Sequence, residues 1–222
     1  MLETLFPYVK LDQLGRAAYE TLYMTTISGA ATFVLGLLLG TLLVLTGPGQ
    51  LLANRPVYGA LSLLSNVFRS IPFIILIVLL IPFTKLVVGR ILGVNAALPA
   101  LIIGAAPFYA RLVEIAFREV SKGVIEATRS MGGGIGTIVF KVLIPESAPA
   151  LASGFTVTLI SLVGFTAMAG VIGAGGLGNL AYLEGFQRNH SDVTLVATVT
   201  VLIIVFAIQF VGDRVTNQLD KR

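Results

Sequence analysis

The sequence has no cysteine, no tryptophan and a single histidine, His190. Without cysteine there is no disulfide, no thiolate nucleophile and no thiolate-ligated metal. One histidine removes histidine clusters and histidine-based triads, so neither a metal site nor a catalytic constellation is expected. Charge is scarce too. Charged residues make up 12% of the 222 positions and hydrophobic residues 56%, against about 25% and about 45–50% in a soluble domain. A chain with half the usual charge cannot solvate an ordinary surface. That excludes a soluble enzyme, a disordered chain and a nucleic-acid binder held by phosphate contacts. The first fifteen residues hold acids and no continuous apolar core, so no cleavable signal peptide is expected.

What remains is a polytopic helical membrane protein. A spanning helix needs about 20 apolar residues, because roughly 30 Å of hydrocarbon is crossed at 1.5 Å per residue. No charge falls between Glu20 and Arg55, and the first span is placed at 22–45. A Gly/Pro turn, TGPGQ, follows. The second span falls within 57–83, interrupted by Arg69 and Pro72. The third is 96–117, with Arg111 and Glu114 near its end. The fourth, 150–172, lies in the charge-free stretch from Ser147 to Leu183 and is followed by a Gly-rich segment. The fifth is 193–211.

Five spans put the termini on opposite sides, and the Lys/Arg balance sets which is which. With the amino terminus outside, the inner segments hold Arg55, Arg69, Arg111, Arg118, Lys122, Arg129, Lys141, Arg214, Lys221 and Arg222. The outer segments hold Lys10, Arg16, Lys85, Arg90 and Arg188. Two-thirds of the basic residues then lie inside. The carboxyl terminus and the long polar segment between spans three and four are expected in the cytoplasm.

That segment reads SKGVIEATRSMGGGIGTIVFKVLIP over 121–145. Val124, Ile125, Thr128 and Met131 make an apolar stripe at helical spacing, with Lys122, Glu126 and Arg129 off it. Gly132–Gly134 suit a helix C-terminus, and a second short helix fits Ile135–Ile144. Pro145 suits the first turn of the next helix. By physics alone the segment reads equally as an amphipathic hairpin on the lipid surface.

The spacing Glu126-Ala127, then Gly132, then Val142-x-Ile144-Pro145 resembles the EAA motif of ABC-importer permeases: Glu-Ala-Ala, three residues, Gly, nine residues, Ile-x-Leu-Pro. Thr128 replaces the third-position alanine, and the triple glycine suggests a more mobile turn than the family pattern. FRSIPFIILIVLLIPFTKLVVG (68–89), GAAPFYARLVE (104–114), GAGGLGNLAY (173–182) and QFVGDR (209–214) narrow the resemblance to the methionine importer permeases, over about Tyr19 to Arg214. The resemblance implies a homodimer of this chain, two cytoplasmic ATPase subunits docked beneath it and an extracytoplasmic substrate-binding protein. ATP and magnesium would be bound by the ATPase, with no cofactor in this chain. It further implies that Lys122–Met131 is a lever seated in a groove on the ATPase. Glu126 and Arg129 would make polar contacts there, Ala127 would lie flush, Gly132 would turn the chain, and Pro145 would close the motif.

Other residues carry two readings each. Arg69 at mid-bilayer would cost about 2.5–3.5 kcal/mol by insertion scales. It reads either as a polar element of the path or as a side chain snorkelling to the cytoplasmic interface, and Ser65, Asn66 and Ser70 favour the interface. Pro72 bends the second span, for a path or for plain packing. Arg111 and Glu114, three apart, read as a local ion pair. Met168 stands among the small residues of GFTAMAGVIGAGGLG (164–178), either as a gate where two copies meet or as a packing or lipid-facing methionine. The glycines beyond it break the helix toward the outer side. His190 reads as an exposed loop residue, and Asp213 and Arg214 as a surface pair ending the last helix.

No GxxxxGK[ST] occurs, so ATP hydrolysis must come from another chain. A stand-alone secondary carrier would be expected to hold ionisable groups deep in its spans, and an intramembrane enzyme has almost no chemistry available here. The expectation is therefore an all-α protein of five transmembrane helices, with short cytoplasmic coupling helices between spans three and four, one domain over residues 1–222. It would be a permease subunit and no enzyme, in a bacterial inner membrane, for methionine or for another amino acid or small polar solute.

Overall fold

A computed structural model describes residues 7–220, which are all-α with no strand among them. Lys221 and Arg222, used above for the charge balance, lie outside the described residues. The helices are α1 Leu11–Thr46, α2 Arg55–Ser70, α3 Phe73–Leu79, α4 Ile81–Val88, α5 Val94–Arg118, α6 Lys122–Ser130, α7 Ile135–Ala174, α8 Gly176–Leu180 and α9 Ser191–Leu219. Among the described residues α1, α5, α7 and α9 are long and apolar enough to cross a membrane, and a broken pair, α2 with α3, makes a fifth candidate.

The centre of the fold is the seam where α1 lies along α5, with α7 packed against both. The buried face of α1 carries Thr21, Thr25, Ser28, Gly29, Thr32, Gly36 and Gly40. Facing it, α5 buries Ala97, Ala100, Ala105, Ala106, Tyr109 and Ala110. In lipid there is no hydrophobic gain from joining two apolar helices, so association depends on close backbone approach. Gly36 and Gly40, four apart, supply it. A Cβ at Gly40 would sit 2.6 Å from the Ala110 carbonyl oxygen, and one at Gly36 would sit 2.7 Å from the Tyr109 ring. Several hydroxyls in the helices turn back onto their own helix, while Thr32 Oγ1 on the buried face of α1 has no partner among the described residues. Thr25 donates to the Thr21 carbonyl at 2.9 Å and Thr158 to the Gly154 carbonyl at 2.8 Å, the usual arrangement when no water is present.

The second span is broken rather than gently bent. The chain turns by 108° between α2 and α3. Pro72 has no N–H to continue α2, and the residue before a proline is pushed out of the helical region; Ile71 accordingly sits at φ −80°, ψ 123°. A second interruption at Leu80 precedes Pro82 in the first turn of α4. The other spans are longer than their apolar cores. α1 runs 36 residues, about 54 Å at helical rise, so its first turns stand clear of the bilayer. The last helix continues to Leu219, past Asp213 and Arg214.

Gly40→Leu places side-chain atoms against the Ala110 backbone and the Val113 branch point, neither of which can swing away. It is expected to destabilise the purified permease by at least the roughly 1–3 kcal/mol of ordinary overpacking. Gly15→Ala meets nothing within 4 Å and is expected to be neutral, or stabilising by up to about 1 kcal/mol. Thermal unfolding in detergent compares the two.

Candidate functional site

The cytoplasmic segment folds as a nine-residue helix, α6, closed by glycine. The Gly132 N–H donates to the Arg129 carbonyl at 3.0 Å, and the Gly133 N–H to the Thr128 carbonyl at 2.9 Å. This pair of bonds is a Schellman cap. It needs a left-handed residue at Gly132, which has φ 82°. Gly133 is needed as well, because a Cβ there would lie 2.7 Å from Thr128 Cγ2 and 2.8 Å from its carbonyl oxygen. Gly132 and Gly133 thus form a closed cap at the end of α6.

α6 is pinned by one side of the expected stripe only. Ile125 packs with Phe117, Ile138 and Leu143 beneath the membrane helices, while Val124 and Met131 face outward, Met131 being 81% exposed. Glu126, Ala127 and Arg129 are exposed as well. Neither Glu126 nor Arg129 has an ion-pair partner among the described residues. A cleft of about 500 Å³ separates α6 from the α1–α2 turn and the end of α5, with Lys122, Glu126, Arg129 and Arg118 around it. The arrangement presents small, charged and apolar groups on one helix anchored from behind.

The expected second short helix at Ile135–Ile144 is not separate. It is the start of α7, whose helical backbone runs on without interruption until it kinks at Ile172 and Gly173. Pro145 is accommodated because Val139–Leu143 forms a wider π-turn just before it. Local π adjustments are a known way for a helix to pass a proline. The turn beneath the membrane is thus joined directly to a membrane-crossing rod.

Arg69 and Met168 line one cleft, and Pro72 lies at the break beside it. A cleft of about 460 Å³ is lined by Arg69, Phe73, Gly104, Ser161, Phe165 and Met168, among others. Pro72 caps the amino end of α3 at the break beside it. Phe73 and Phe165 stack face to face with centroids 4.5 Å apart, and Met168 is 47% exposed. Arg69 itself is exposed.

Three features were not anticipated. The Gly173–Gly176 break is tied to α1: the Gly176 N–H donates to Glu20 Oε2 at 2.8 Å and the Leu177 N–H to Thr21 Oγ1 at 2.9 Å. Glu20 stood in the sequence only as the last charge before the first span. At the cytoplasmic end of α5, Glu114 is buried and takes Arg118 at 2.8 Å as well as Arg111 at 2.7 Å, so the expected pair is a triad. The i, i+4 spacing could have revealed the second arginine. His190 is half-buried and stacks on Tyr8 at 3.9 Å. Asp213 and Arg214 do not pair: Asp213 accepts from Gln209 Nε2, and Arg214 lies over the Phe210 ring.

Residues 33–222 match the family described as the binding-protein-dependent transport system inner membrane component. The methionine import system permease protein MetP of Bacillus subtilis is 64% identical over 222 residues, covering all of both chains. A probable D-methionine transport system permease protein, MetI, of Pasteurella multocida is 45% identical over 95% of this chain and 97% of its own length. A solved chain from inward-facing conformations of the MetNI methionine ABC transporter superposes with a TM-score of 0.92 at 48% identity, covering 94% of this chain and 97% of that one. The chain belongs to this family: it is a multi-pass inner-membrane permease subunit of an ABC importer, it works with an ATPase subunit, and it is not itself an enzyme.

Gly132→Val forces a β-branched residue into the left-handed region, at a cost of about 1–2 kcal/mol, and opens the cap of α6. No atom lies within 4 Å of a Cβ there, so the membrane helices are expected to keep their thermal transition. Substrate moved per ATP hydrolysed is expected to fall severalfold in the assembled transporter. Glu20→Ala strips the acceptor from the Gly176 N–H. At the roughly 1–3 kcal/mol of an unmet buried donor, amide exchange over 173–180 is expected to quicken fivefold or more by mass spectrometry.

Proposed function

We propose that this chain forms the translocation path for methionine, in both D and L forms, as the permease subunit of an ATP-driven importer working by alternating access. The observation that carries the reading is the full-length 64% identity to a methionine import permease. Two copies of the chain would form the path between them. Two ATPase subunits, holding ATP and magnesium, would dock on the two α6 helices, and an extracytoplasmic binding protein would deliver substrate. The excess of basic residues on the α6 side supports an amino terminus outside and a carboxyl terminus in the cytoplasm.

The residues fit those roles. Glu126, Ala127 and Arg129 are exposed on a capped helix, as a surface for an ATPase groove requires. ATP-driven closure of the ATPases would push α6, and through Gly132 and Pro145 the rod α7, whose far half carries Met168. Arg69, Pro72 and Met168 would line the path, with Met168 as the gate residue where two copies meet.

The test is uptake of labelled L-methionine into proteoliposomes holding this permease with the ATPase and binding protein encoded beside it. Saturable, ATP-dependent uptake competed by D-methionine is the expected result. Stimulated hydrolysis with uptake of a different amino acid would keep the importer and change its cargo. Uptake needing neither ATP nor the ATPase would replace the reading with a stand-alone carrier.

A further inference from the structure

The cleft at the Ile71–Pro72 break holds one charge and no counter-charge. Arg69 has no ion pair or hydrogen-bond partner among the described residues, and no carboxylate lines the cleft. An intramembrane arginine normally pairs or faces a water-filled cavity. Non-helical backbone at membrane depth is likewise tolerated only where protein covers it or water fills the space. Both features meet at this cleft.

We propose that this cleft is a transient station for a zwitterionic α-amino acid with an apolar side chain. It rests on the reading above that the chain lines an amino-acid path. The Arg69 guanidinium receives the carboxylate, which matches its planar donor fork. The stacked Phe73 and Phe165 rings with Met168 form the wall for the side chain, and a thioether gains from contact with aromatic rings. The ammonium meets oxygen acceptors only. α2 ends here with no backbone N–H closing it at its C-cap Ile71, and a helix leaves its last carbonyls without internal donors. Ser161 Oγ spends its proton on the Val157 carbonyl, which leaves its lone pairs free. The volume, about 460 Å³, falls within the roughly 300–1,000 Å³ of small-molecule sites. A Cβ on Gly164 would meet nothing within 4 Å, so that wall is open. A cationic side chain finds no partner in such a cleft, and an acidic one faces rings.

Because the chain has no cysteine, Ser161→Cys gives it a single thiol in the cleft, and Gly164→Cys gives an independent second position. The transporter is reconstituted with its ATPase, and methanethiosulfonate labelling of this chain is followed by intact mass. L-methionine and norleucine are expected to slow labelling, while glutamate, lysine and methioninamide, which lacks the carboxylate, are not. Adding Arg69→Gln is expected to raise the methionine needed for half-protection roughly tenfold or more, as for loss of a charged hydrogen bond, with Arg69→Lys restoring part of it. Labelling unaffected by methionine at both positions, or protection by methioninamide equal to that by methionine, would overturn the station. Uptake by the same proteoliposomes separates the two readings. Uptake without protection overturns the station alone, protection without uptake keeps it and overturns the transport reading, and neither overturns both.

Discussion

Within hydrocarbon every backbone N–H and C=O that leaves a helix must find a partner inside the protein, and the architecture follows from how this chain meets that demand at two breaks. At the Gly173–Gly176 break, four backbone groups find partners within the protein. Glu20 and Thr21 on α1 take the Gly176 and Leu177 N–H groups, Gly93 donates to the Gly173 carbonyl at 3.0 Å, and Asn179 donates to the Gly170 carbonyl at 3.0 Å. α1, the start of α5, the end of α7 and α8 are tied together there. At the Ser70–Pro72 break, only the Ser70 hydroxyl turns back, to the Asn66 carbonyl at 2.8 Å. The first break is tied to its neighbours by four hydrogen bonds, and the second opens onto the cleft at Arg69.

The same contrast sets the mechanics. α7 joins the capped turn beneath the membrane to the Gly173–Gly176 break without a hinge, because the π-turn at Val139–Leu143 lets the helix carry Pro145 without stopping. The Schellman cap at Gly132 and Gly133 fixes how α6 leaves that rod. A displacement of α6 therefore reaches Met168 through continuous helix rather than through a flexible loop. The small-residue seam of α1 and α5 is close-packed, since Gly36 and Gly40 bring the two backbones together with no room for a Cβ.

Much of this was readable from the chain. Charge-free stretches placed the spans, helical spacing with glycine placed α6 and its cap, and Pro72 marked the discontinuity. What escaped depended on pairings distant in sequence. Glu20 and Gly176 are 156 positions apart, and nothing local marks one as the acceptor for the other. Pro145 sits in the first turn of the helix from Ile144, as its position suggested, but the π-turn at Val139–Leu143 that joins this helix to the residues before it has no local sequence signal. The glycines marked the end of α6, while the bonds of Gly132 and Gly133 to Arg129 and Thr128 became visible only in the structure.

A station in a transport path must bind well enough to admit its cargo and weakly enough to release it. The proposed site has the features this requires. Arg69 is exposed, so its interaction with a carboxylate is moderated by water and not by a dry, low-dielectric enclosure. The cleft is open along Gly164, and no carboxylate fixes the ammonium, so only half of the zwitterion meets a full charge. An added acid at the cleft would complete the pairing and also hold the cargo, or neutralise Arg69 outright. The scarcity of charge that marks the whole sequence is, at this one place, what lets a small amino acid pass.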